Sequence, residues 1–92
     1  MVEEKKQFYI NGKWVDPINQ NELEVVDPSN EEVCAIISLG DSEDTNLAVE
    51  SAKKAFPIWS STSKEERIKL LKNLHEIYKS RWNQMAKSIS IE

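Results

Sequence analysis

Cys34, His75 and three adjacent acid pairs are the side chains of this sequence whose types could carry covalent or acid–base chemistry. A nucleophilic thiolate needs an accessible, electropositive setting. Cys34 sits instead among Val33, Ala35, Ile36 and Ile37, which predicts a packing residue. His75 has no second His four residues away and no Cys near it, so neither a zinc site nor a Cys–His pair is built locally. It reads as structural. The pairs Glu3-Glu4, Glu31-Glu32 and Glu65-Glu66 are direct neighbours, which sends their side chains apart on either a helix or a strand. They read as solvated acids rather than a catalytic dyad.

Ligand-binding patterns are equally sparse. A pyrophosphate cradle needs a glycine-rich turn between strand and helix, and the two glycines, Gly12 and Gly40, are far apart. Gly40 does precede a helix start, but Asp41, Glu43 and Asp44 there repel phosphate. Trp14, Trp59 and Trp82 could stack on bases or sugars from one exposed surface, yet each belongs to an amphipathic pattern that places it against protein. The expectation is therefore no catalytic, cofactor-binding or metal-binding residue in these 92 positions.

The elements that hold these residues are clearly punctuated. In Phe8–Pro17, two short runs of strand-forming residues meet at Asn11-Gly12, a pair that supplies positive φ at both centres of a tight hairpin turn. Tyr9 should then face Trp14. A third strand is predicted at about Leu23–Val26, a turn at Asp27-Pro28-Ser29-Asn30, and a fourth strand at Val33–Leu39, apolar on both faces. Residues 1–7 are charged and patternless, and read as a frayed arm.

Helical periodicity takes over after Gly40. Asp41 suits the N-cap, with Glu43 and Asp44 in the first turn. Leu47, Ala48, Ser51, Ala52 and Ala55 form a small-residue stripe, and Glu50 with Lys54 makes an i,i+4 pair. Pro57 should end this helix, giving 41–56. Ser63 and Glu66 form a capping box opening a second helix over 63–90. Its apolar positions Ile68, Leu71, Leu74, Tyr78, Trp82, Met85 and Ile89, widened by Leu70 and Ile77, need at least two neighbouring elements. No stop signal follows Ile89, so the chain reads as cut from something longer.

Composition sets outer limits. Ninety-two residues with 39% hydrophobic content suit one small domain with a modest core, not a large enzyme. The net charge of −4 conceals an asymmetry: positions 1–50 hold twelve acids and three bases, and positions 51–92 hold four acids and nine bases. Internal or intersubunit complementarity explains this better than nucleic-acid binding, since overall acidity disfavours phosphate. One cysteine, no apolar run of membrane length and a charged start, MVEEKKQ, predict a cytoplasmic protein without membrane association.

Four blocks in order resemble the amino terminus of the aldehyde dehydrogenase superfamily: FYINGKWV at Phe8–Val15, VDPSNEEV at Val26–Val33 followed by Gly40-Asp41, AVESAKKAF at Ala48–Phe56 with Trp59, and the Ser63–Leu74 helix start. The resemblance implies a parent that oxidises an aldehyde to a carboxylic acid with NAD or NADP. In such an enzyme a thiolate adds to the carbonyl, hydride leaves to nicotinamide, and a Glu activates water. The resemblance places all of those residues in segments after Glu92. It implies that 1–92 is the amino-terminal part of an α/β Rossmann-like cofactor-binding domain. The segment itself would be an α+β fragment, with strands over 8–39 and two helices, inactive alone and binding no cofactor alone. Its expected partners are the remainder of the dehydrogenase polypeptide and, through the apolar face of the second helix, other copies of itself. The alternative is a standalone interaction module that uses Lys64, Arg67, Lys69, Lys72, Lys79, Arg81 and Lys87 to bind a protein or nucleic acid.

Overall fold

Asn11 at φ 54° and Gly12 at φ 73° make the left-handed pair that a two-residue hairpin loop demands. They join β2 (Phe8–Ile10) to β3 (Lys13–Val15), with Tyr9 opposite Trp14 as expected and the two rings 5.1 Å apart. The computed structural model describes residues 2–92. Met1, the first residue of the expected arm, lies outside them.

A second, three-stranded sheet has the order β1-β5-β4, built from β1 (Glu3–Lys5), β4 (Glu22–Asp27) and β5 (Glu32–Ser38). The frayed arm is thus corrected: Glu3, Glu4 and Lys5 pair in parallel with Ala35, Ile36 and Ile37. Charge patterning gave no hint of this, because the pairing is made by backbone groups. Lys6 then reaches Glu4 at 3.3 Å and Glu22 at 3.1 Å, tying the two edge strands across β5, and the Ser38 hydroxyl donates to the Lys6 carbonyl at 2.6 Å.

The turn between β4 and β5 follows the Asp-Pro-Ser-Asn grammar. Asp27 accepts from the Ser29 amide at 2.9 Å and its hydroxyl at 2.7 Å, while the Glu31 amide returns to the Asp27 carbonyl at 2.8 Å. Glu31 is left at φ 61°, an uncommon conformation for a residue with a side chain. Val25 pairs with Ala35 and Val26 with Val33, which leaves Cys34 as the extra residue of a β-bulge. The bulge breaks the strict face alternation predicted for β5, although Val33 through Ser38 are all half-buried, as a central strand requires.

Helix α1 runs Ser42–Ser60 and contains Pro57, four residues beyond the expected end at 56. Proline cannot donate to the Lys53 carbonyl, which favours a stop, but the hydroxyls of Ser60, Ser61 and Thr62 cap the carbonyls of Pro57, Ile58 and Trp59. That hydroxyl relay sustains one further turn. The single helix expected over 63–90 is two: α2 (Lys64–Ser80) and α3 (Trp82–Ile91), hinged at Arg81 with φ −112° and ψ 17°. Ser80 Oγ donates to the Ile77 carbonyl at 2.7 Å, and the Arg81 amide is shared between Ile77 and Tyr78, a local tightening that bends a helix.

The expected modest core is not formed. Among the described residues no hydrophobic side chain is buried, and the Cα radius of gyration is 17.0 Å against about 12 Å for a compact chain of this length. Helix α1 leans on β2, with Ala48 and Ser51 of its small stripe half-buried, whereas α2 stays exposed along its whole length.

Candidate functional site

The most constrained cluster lies where α1 begins. Asp41 is the N-cap, accepting from the Glu43 amide at 2.9 Å and the Asp44 amide at 3.2 Å, and Asp44 at the third helical position accepts from the Asp41 amide at 3.0 Å. This is a complete capping box with aspartate at both ends. The other Asp44 oxygen accepts from the Ile18 amide at 3.0 Å, across 26 residues of sequence. Asn19 donates to Asp41 at 2.8 Å and reaches Glu43 at 3.5 Å.

Asp44 is therefore the most enclosed side chain described, with 6% of its surface exposed. Asn19 first, and then the helical amides, hold the Asp41 carboxyl below its ordinary value by hydrogen-bonding its charged form. Phe8 packs over Gly40, where an added Cβ would meet the ring at 3.4 Å. Hairpin, connecting segment and helix are thus joined by one polar clamp roofed by one aromatic ring.

The same geometry decides what this helix end can bind. The Glu43 and Asp44 amides are taken by Asp41, and the Thr45 amide by the Asp41 carbonyl at 3.1 Å. The donors that a pyrophosphate would need are already used by carboxylate and carbonyl oxygens. Residues 40–45 therefore offer no free amide cradle of the kind a dinucleotide pyrophosphate needs.

The remaining candidates are scattered. Cys34 is half-buried at the bulge with its thiol donating to the Val25 carbonyl at 3.4 Å, and it lines an open groove of about 630 Å³ between the sheet and α3. His75 is exposed on α2. The three acid pairs fall on β1, on the β4–β5 turn running into β5, and in the first turn of α2, and no group of three or more His, Cys, Asp or Glu side chains able to hold a metal occurs among the described residues. The tryptophans stand on three different elements and packing is only partial: Trp14 of β3 lies against Tyr9, Trp82 of α3 lies edge-on to Tyr78 at 5.7 Å, and Trp59 of α1 is about half exposed.

Sequence reasoning placed Asp44 only in the favourable field of a helix start. Its place three residues after Asp41 signals the local half of the clamp; the bond to Ile18 leaves no sequence trace.

The family's sequence profile, described as the aldehyde dehydrogenase family, matches residues 14–92. The chain belongs to the aldehyde dehydrogenase family. A 3-succinoylsemialdehyde-pyridine dehydrogenase of a Pseudomonas species is 41% identical over 87 residues, which cover 95% of this chain and 18% of that protein. A malonate-semialdehyde dehydrogenase of Oceanobacillus iheyensis is 34% identical over 94% of this chain, again 18% of the relative. The crystal structure of an aldehyde dehydrogenase from Bartonella henselae superposes with a TM-score of 0.95 at 48% identity, over 97% of this chain and 19% of that one. Aldehyde dehydrogenase C of Pseudomonas syringae, solved with NAD+ and octanal, gives 0.92 at 37% identity, over 94% of this chain and 18% of that one.

This aldehyde dehydrogenase segment spans about a fifth of the relatives it matches, and corresponds to their amino-terminal part. The α+β arrangement of hairpin, sheet and helices agrees with the expected fold class, with three helices in place of two. The comparisons give no support to the interaction-module alternative. No described helix is long and apolar enough to cross a membrane.

Proposed function

We propose that residues 1–92 are the amino-terminal scaffold of an NAD- or NADP-dependent aldehyde dehydrogenase that oxidises an aldehyde to a carboxylic acid. The segment belongs to the cofactor-binding domain and supplies structure, while the nucleophile, the water-activating acid and the nucleotide cradle lie elsewhere in the polypeptide. It contributes no catalytic, cofactor-binding or metal-binding side chain of its own.

One observation carries this reading: a fold matched at a TM-score of 0.95 exposes an apolar helix face that nothing within it covers. Leu70, Leu71, Leu74, Ile77, Trp82 and Ile89 are each more than half exposed. Such a face is stable in water only against further protein. In the enzyme that protein is the rest of the dehydrogenase chain, and in the isolated segment it is a second copy. A cytoplasmic setting fits a chain whose single cysteine, Cys34, has no second cysteine to pair with.

The test compares two samples, the 92-residue chain and the same residues joined to the remainder of a relative's dehydrogenase. Aldehyde-dependent NADH or NADPH formation by the joined protein and none by the segment is the expected result. Turnover by the segment alone would overturn the scaffold assignment; a folded but inactive joined protein would overturn the family-based activity.

A further inference from the structure

We draw no further inference here: the strongest candidate, the apolar cleft of about 250 Å³ at the α2–α3 bend lined by Leu74, Ile77, Tyr78 and Met85, belongs to the docking face already described, and nothing in the structure shows a second occupant for it.

Discussion

The start of α1 and the α2–α3 face solve opposite problems. At the first, every buried polar side-chain atom finds a partner within the chain, through bonds as short as 2.8 Å. At the second, large apolar side chains from Ile68 to Ile89 stand 39–68% exposed. Hydrogen bonds are directional and short, so a capping box or an Asx turn is completed by residues a few positions away. Hydrophobic burial is non-directional and needs area, which a 92-residue stretch without a second layer does not provide. A chain that spans about a fifth of its relatives' length therefore has its polar contacts closed and its apolar face open.

The largest expected effect breaks the open side. Leu74→Asp combined with Ile77→Asp places two charges on the face assigned to docking, where burying an unpaired charge is prohibitive. Sedimentation of the isolated chain should shift from a concentration-dependent oligomer to a monomer. The same pair in the joined enzyme should abolish soluble folded protein. An unchanged oligomer would place self-association on another surface, such as Phe56, Ile58 and Trp59 at the end of α1, which are also exposed.

On the closed side, Asp44→Ala removes the acceptor of the Ile18 and Asp41 amides. Losing a charged acceptor and stranding partly enclosed donors costs about 2 kcal/mol, so amide exchange at Ile18 and Asp41 should accelerate by roughly 30-fold. Exchange that rises only at Asp41 would show that the long-range bond contributes little. Ser63→Ala acts at a second capping box that has no long-range bond. There the Ser63 hydroxyl accepts from the Glu66 amide at 3.1 Å, and the Glu66 carboxylate accepts from the Ser63 amide at 3.3 Å. A loss of about 1 kcal/mol is expected, seen as reduced α2 protection with the hairpin unchanged. If both substitutions loosen the hairpin equally, the two regions are not independent.

Acid tests the clamp without mutation. Asn19 and the helix amides hold the Asp41 carboxyl below 3.8, and Ser29 holds the Asp27 carboxyl below the same value. A depressed folded value means that the stabilisation is present above about pH 3.8 and is lost as pH falls through the folded value. Both groups are exposed enough for screening to keep the effect small. Side-chain amide shifts of Asn19 followed by NMR should hold steady down to about pH 4 and move below it. Movement centred well above that range would assign the transition to other carboxylates.

The sequence disclosed these regions unequally, for the same physical reason. Asn11-Gly12, Asp27-Pro28 and Ser63–Glu66 were legible because each fixes a local conformation through its own side chain or lack of one. The β1–β5 pairing, the Ile18–Asp44 bond and the bulge at Cys34 were not, since each needs a backbone group whose partner no local side-chain pattern specifies. Pro57 alone does not end α1, because three following hydroxyls cap the carbonyls of the last turn. The apolar face of α2 was legible from its three- and four-residue spacing; what covers it was never written in these residues.

The smallest effect concerns Glu31, the one strained residue of an otherwise regular turn. At φ 61° its side chain crowds the backbone, a cost of about 1 kcal/mol or more that glycine avoids. Glycine in turn loses more freedom on folding, which offsets about 0.4–1 kcal/mol of that relief. The net gain for Glu31→Gly is therefore a few tenths of a kcal/mol, visible as slightly slower exchange in β4 and β5. Glu31→Val should act in the opposite direction and more strongly, because a β-branched side chain is least compatible with this conformation. Since Glu31 lies in the turn between β4 and β5 and is not a residue of the α2–α3 face, neither change should alter self-association. An effect there would mean that the β4–β5 turn and the open helical face fold as one unit, and the contrast between the finished and unfinished halves of the segment would fail.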